Sequence, residues 1–224
     1  MTLQDTMRTL ESLGTAQNRK VYARHGAGEN TFGVSFANLD KLKKRIKTDH
    51  QLAQQLWGTG NSDARSLATL IADPGKMSSS ELDAWVKDIG YYVHADLFAG
   101  HVAAGSTLAR KKMDAWMKSA HDFVAQVGWD LLGILAMREG DLADTYFEKH
   151  LETIEAKIHQ TGNRTRHAMN NALIAIGMRN ARLQKLALAA AARIGKVVVD
   201  HGQTGCQTPD AAAYILKAAA RRRK

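Results

Sequence analysis

Cysteine is nearly missing from this chain. Cys206 stands alone among 224 residues, so no internal disulfide can form and a reducing cytoplasm is the expected setting. Proline is almost as scarce: Pro74 and Pro209 are the only two, each beside an expected helix boundary, and helix can run through nearly everything else. Long apolar runs are absent, the longest falling far short of the roughly 20 residues that cross a bilayer, which excludes a spanning helix. The start, Met1-Thr2-Leu3-Gln4-Asp5, lacks a basic segment leading into an apolar one, so no secretory signal is expected. No glycine-rich phosphate loop, Ser-His-Asp order or paired metal histidines occur, which argues against common nucleotide, hydrolase and metalloenzyme classes. No cofactor and no metal is expected.

Acid is the minority charge. Thirty-one Lys and Arg face 22 Asp and Glu, for a net +9 and a pI near 9.7. That balance attracts polyanions, nucleic acid first among them. The tail Arg221-Arg222-Arg223-Lys224 supplies four of the positive charges; without it the chain is 9 − 4 = +5, still basic. Hydrophobic content of 45% and charged content of 24% are ordinary for a globular protein. One domain over 1–224 is expected.

Apolar spacing and punctuation predict helices near 2–13, 16–25, 36–47, 49–57, 62–73, 79–89, 91–104, 107–119, 121–138, 141–160, 163–179, 181–195 and 209–220. Start signals include Ser35 before Phe36, Asn61-Ser62, Ser78-Ser79-Ser80 before Glu81, and Thr208-Pro209 with proline at the first helical position. Gly58, Gly60, Gly75, Gly90, Gly105, Gly140, Gly162 and Gly195 fall at expected ends. Gly133 and Gly177 do not, and should mark close packing or a bend. Val197-Val198-Val199 is too short and isolated to build a sheet. The expected fold is all-α, a solenoid of stacked antiparallel helix pairs compatible with degenerate HEAT-like repeats of about 40 residues. An irregular helical bundle is the alternative. A stacked solenoid is curved and binds on its concave side.

Several faces carry residues suited to chemistry. In Tyr91-Tyr92-Val93-His94-Ala95-Asp96, Asp96 is the only acid between Asp88 and Asp114. On a helix Tyr92 and Asp96 share a face, while Tyr91, Ala95, Phe98 and Val102 form an apolar stripe. Ala99, Gly100 and Ala103 have little bulk and leave room beside the carboxylate. An accessible anion beside an aromatic can stabilise a developing cation or orient a water; a structural ion pair is the alternative. Arg110, Lys111 and Lys112 follow soon after. The helix from 163 sets Ala168, Met169, Ala172, Leu173 and Ile176 toward the core. Opposite stand Asn163, His167, Asn170 and Asn171, flanked by Arg164 and Arg166, with no acid between Glu155 and Asp200. Such a face can contact phosphates and base edges, or it is a solvated polar face. Lys43 and Lys44, within Lys41-Leu42-Lys43-Lys44-Arg45-Ile46-Lys47, lie opposite the stripe Phe36, Leu39, Leu42 and Ile46 and offer a weaker phosphate contact. In the loop from Asp200 to Asp210, the spacing of Asp200, His201, Cys206 and Asp210 matches no zinc pattern, and a cap for the last helix is expected.

From Phe32-Gly33-Val34 through Leu52-Ala53-Gln54-Gln55-Leu56-Trp57 and Ser62-Asp63-Ala64-Arg65 to Trp85, Asp96, Trp116 and the helix at 211–219, the chain resembles the AlkD-like DNA alkylation repair family. These are all-helical proteins of HEAT-like repeats that include glycosylases removing alkylated purines. The stretch Ala168–Gly177 and Asp200-His201-Gly202 looks like a divergent branch. In the family's glycosylases a Trp-Trp pair leads to the catalytic Asp, and the matching positions here are Tyr91, Tyr92 and Asp96. The resemblance implies that Asp96 stabilises cationic character on the deoxyribose as the base departs and helps position water, with Tyr92 against the sugar. It implies duplex DNA, alkylated in the catalytic case, as partner. The chain departs from the pattern twice: the family's active-site Arg falls near Gln126-Val127, and its second Trp falls at Asn171. Losing both removes a phosphate clamp and an aromatic wall, which leaves a non-catalytic DNA-binding or protein-scaffolding module as the second expectation.

Overall fold

The computed structural model describes every residue except Glu139, Asp141, Arg223 and Lys224, and of Arg222 only the backbone. Two of the basic tail residues, Arg223 and Lys224, thus lie outside the described residues, as does Asp141, the expected start of one helix. The described residues form thirteen α-helices: α1 (Leu3–Leu13), α2 (Ala16–Arg24), α3 (Phe36–Ile46), α4 (His50–Gly58), α5 (Ser62–Ile71), α6 (Ser79–Lys87), α7 (Tyr92–Leu97), α8 (Ala109–Trp116), α9 (Asp122–Ala136), α10 (Asp144–Lys157), α11 (Asn163–Gly177), α12 (Ala181–Ile194) and α13 (Ala211–Arg222). Each corresponds to one expected span.

Local chemistry explains the boundaries. Thr2, Thr15, Ser35, Asp49, Asn61, Ser78 and Asn180 each accept a backbone N–H of the following turn, and Ser78 with Glu81 closes a reciprocal capping box. The last helix corrects one expectation. α13 begins at Ala211, two residues after Pro209, because Asp210 Oδ1 accepts the Ala213 N–H at 2.8 Å and serves as the cap. Gly177 marks close packing, as expected. A Cβ there would stand 2.6 Å from Ile215 of α13 and 2.9 Å from Ala187 of α12.

The chain divides into two compact units, residues 1–109 with 201–205, and 110–200 with 206–224. In the first, α5 packs against α3, α4 and α7, and Trp57 of α4 stacks on Trp85 of α6 at 4.2 Å and 5°. Buried Asp63 ties the segment before α3 to α5. Its carboxylate accepts the Thr31 hydroxyl at 2.8 Å and the Phe32, Gly33 and Val34 amides at 2.6, 3.0 and 2.8 Å. In the second unit, α11 is central, packed against α9, α10, α12 and α13, while α10 also packs on α12. Helices two apart in sequence thus lie side by side, α9 with α11, α11 with α13, and α10 with α12. That alternation is the mark of stacked helix pairs, and an irregular bundle is set aside.

One arginine arrangement recurs. Arg65 of α5 donates to the Trp57 carbonyl at the end of α4 and to the Asp88 carbonyl after α6. Arg166 of α11 donates to the Ile158, His159 and Thr161 carbonyls after α10 and to Val198 after α12. Each guanidinium thereby satisfies carbonyls that a helix C-terminus leaves without partners.

Candidate functional site

The helix expected over 91–104 is interrupted. Six residues of α-helix, Tyr92–Leu97, pass into a π turn at Phe98–Val102 and a 3-10 turn at Ala103–Gly105. The wider turn lets Phe98, Ala99, Val102, Ala103 and Ala104 all be buried at once. This overturns the expected open space beside the carboxylate, because Ala99 and Ala103 are packed and only Gly100 faces outward. π turns of this kind are frequent at functional sites.

Asp96 sits just before that turn and is exposed; Tyr92, one helical turn earlier, is half-buried, and Tyr91 is buried. Three contacts fix the segment. Tyr92 Oη and His25 Nδ1, just past the end of α2, are hydrogen-bonded at 2.5 Å. The ring edge of Tyr91 meets Tyr92 at 5.4 Å and His94 at 5.1 Å, and burial pushes the Tyr91 hydroxyl's pKa up. His94 lies 2.9 Å from the Ser62 carbonyl through Nε2, so its neutral ring donates there to α5. Its buried Nδ1 has no hydrogen-bond partner, and burial pushes its pKa from 6.5 down to about 4. Tyr91 thus serves as wall and Tyr92 and Asp96 as surface. Lys43 of α3 belongs to the same neighbourhood, since after partial burial its charge is what lowers the pKa of His101 in the π turn. Lys44 is paired with Asp40 at 2.9 Å.

In the second unit the expected DNA-contacting residues separate into two sets. Three are committed to the fold and correct the expectation. Asn170 is 1% exposed and its Nδ2 donates to the Pro209 carbonyl at 3.0 Å, so the face opposite the apolar stripe of α11 is covered at this residue. Arg166 spends its guanidinium on four carbonyls, as described above. Lys112 is 6% exposed, with its ammonium 5.9 Å over the Trp116 ring. The others reach the surface at least in part: Arg110, Lys111 and Asn171 are exposed, and Arg164 and His167 are half-exposed. At the positions of the two departures, Gln126 is buried on α9 and Asn171 is exposed on α11. Among the described residues no group of three His, Cys, Asp or Glu is placed to hold a metal, and no helix is long and apolar enough to cross a membrane.

Sequence reasoning missed His25, Asp63 and the carbonyl-binding role of Arg166. His25 had no signal, because its partner is 67 residues away. Arg166 had one: it stands four residues past a helix-start position, as Arg65 does after Asn61, and repeat equivalence would have paired them.

Stacked helix pairs with an exposed carboxylate and scattered surface cations define an all-helical repeat protein of the HEAT-like kind. A family model described as DNA alkylation repair enzyme matches residues 6–215, and the chain belongs to that family. Two uncharacterized proteins, of Listeria monocytogenes and Listeria innocua, are each 28% identical over 221 residues, covering 93% of this chain and 93% of each relative. A solved structure from a new family of proteins related to the HEAT-like repeat DNA glycosylases, with affinity for branched DNA structures, superposes with a TM-score of 0.91 at 30% identity. It covers 100% of this chain and 96% of its own.

Proposed function

We propose that this protein binds DNA within the alkylation-repair family and favours branched duplexes. The observation that carries the reading is the full-length likeness to a structure whose family has affinity for branched DNA, at 30% identity and over 100% of this chain. The net charge of +9 supports a polyanionic partner. Lys43, Arg110, Lys111, Arg164, His167 and Asn171 are the side chains we assign to phosphate and groove contact. The family match running from residue 6 to 215 spans both units and supports treating them as one domain. Fluorescence anisotropy with a four-way junction and a linear duplex of equal length tests the reading. Tighter binding of the junction is expected; equal affinity for both, or none, overturns it.

A second reading rests on Asp96. Its carboxylate is exposed one turn beyond Tyr92, which suits stabilisation of positive charge on a deoxyribose as a cationic alkylpurine leaves. A purine alkylated on a ring nitrogen such as N3 or N7 already carries positive charge, so bond breaking needs little acid catalysis. Methylated DNA incubated with the protein should release free methylpurine, and Asp96→Asn should slow release by about a hundredfold or more. No release from wild type, or equal release by the variant, removes this reading and leaves DNA binding standing.

A further inference from the structure

We propose that the second unit holds a pocket for a single nucleotide, a base together with its phosphate, in the cleft between α8 and α10. A cavity of about 790 Å³ opens there, lined on the α8 side mainly by the segment 117–120 that follows the helix, with the N-terminal halves of α9 and α11 contributing. Pockets that enclose small organic ligands span about 300–1,000 Å³.

Two kinds of group face the cavity. Trp129, Tyr146 and His150 form an aromatic wall: the Tyr146 and His150 ring centroids are 4.4 Å apart at 40°, and Trp129 meets His150 edge-on at 6.0 Å and 75°. Trp129 is 4% exposed and backs the wall, while Tyr146 and His150 are half-buried with Arg110 5.4 Å over the Tyr146 ring, so the surface offered to a planar heterocycle is that of His150 and what Arg110 leaves of Tyr146. Lys118, Lys149 and Lys157 stand around the same cavity, all exposed and none ion-paired among the described residues.

The acids of the wall are already engaged. The Tyr146 hydroxyl donates to Asp114. Asp122 accepts the Arg164 and Thr165 amides at 2.9 and 2.8 Å and the Thr165 hydroxyl at 2.7 Å. Both carboxylates keep their charge, so the lining nets 3 − 2 = +1, but their oxygens are turned to protein donors and the charged groups left to meet an occupant are the lysines; an occupant that uses both kinds of group is planar at one end and anionic at the other. A carboxylate brings two acceptor oxygens to three ammonium groups. A phosphate monoester carries about −1.5 to −2 and three acceptor oxygens, which suits the set better. The pocket shares no residue with the Asp96 site and does not rest on either reading above.

The test uses the full chain and deoxyadenosine monophosphate, followed through the indole N–H signals in nitrogen-edited NMR spectra. A saturable shift of the Trp129 signal, assigned with Trp129→Phe, is expected. Deoxyadenosine, without phosphate, and deoxyribose 5-phosphate, without base, should each bind about tenfold more weakly or worse. The triple variant Lys118→Glu/Lys149→Glu/Lys157→Glu, changed only at exposed positions, should keep its circular dichroism and lose about tenfold or more in affinity. No saturable shift overturns the proposal, as does equal binding of the base-free phosphate or wild-type affinity in the triple variant. A duplex with an unpaired 3′ tail distinguishes the sources. If it displaces the mononucleotide and a blunt duplex does not, the natural occupant is an unpaired nucleotide of DNA; if neither displaces it, the occupant is a free nucleotide. If junction binding fails while Trp129 still shifts, the proposed function falls and the pocket stands.

Discussion

His94 shows how one buried ring shapes the segment that carries Asp96. Its Nε2 proton goes to the Ser62 carbonyl, and its bare Nδ1 has no hydrogen-bond partner, so a second proton would be a buried charge without a partner. The folded state therefore prefers the neutral ring, with a pKa moved from 6.5 to about 4. As pH falls, the unfolded chain takes up this proton first, so the ring's contribution is complete above 6.5 and is lost on the way down to about 4. That difference corresponds to a loss on the order of 3 kcal/mol. Urea unfolding of wild type and His94→Gln at pH 7.5 and pH 4.5 measures it. The variant, whose amide can still donate toward Ser62, should lose about 2 kcal/mol less between those two values. Equal losses would assign the acid sensitivity to other groups. None of this was legible in the sequence, where His94 was one letter inside a motif read for Tyr92 and Asp96. Burial of a histidine depends on what packs over it, here Tyr91 at 5.1 Å and Trp57 at 6.4 Å, and Trp57 comes from another helix.

Helices were the most legible level, because caps, glycines and apolar spacing are local and each acts within a turn or two. Thirteen expected spans met thirteen α-helices among the described residues. Where the reading failed, the cause was contact between elements. The span 91–104 became three kinds of turn because Phe98, Ala99 and Val102 are all drawn into the core. Asn170 was placed on a polar face that the Pro209 segment covers. Arg166 was read as a phosphate ligand because a guanidinium looks the same in sequence whether it meets DNA or four carbonyls. These roles separate experimentally. Arg166→Ala should cost about 2 kcal/mol of stability, from carbonyls losing a charged donor, in chemical denaturation. Its DNA affinity, measured well below the unfolding transition, should stay within about twofold of wild type. A stable variant with much weaker DNA binding would restore Arg166 to the interface. Asp63→Ala should cost more, about 3 kcal/mol or above, because three backbone amides and a hydroxyl lose a shared buried acceptor together. Thermal unfolding monitored at 222 nm would show it; an unchanged midpoint would mean the segment before α3 is held by other contacts.

Over the whole molecule the excess of cations matters more than any one of them. Each surface cation that neutralises a phosphate releases a counterion, so affinity should fall linearly on a plot of log binding constant against log salt. Arg110 and Lys111 are both exposed at the start of α8, but they differ: the guanidinium of Arg110 lies 5.4 Å over the Tyr146 ring, whereas Lys111 has no such contact among the described residues. Lys111 is therefore the cleaner probe. Lys111→Ala should weaken binding to junction and linear duplex by the same factor and reduce the salt slope by about 1. Asp96→Ala should act in the opposite sense, since removing an exposed anion from the surface proposed to face DNA lowers repulsion and strengthens binding. Anisotropy titrations at several salt concentrations read both at once. A Lys111 variant with an unchanged slope would place α8 off the DNA path, and an Asp96 variant with weaker binding would mean that the carboxylate organises the interface.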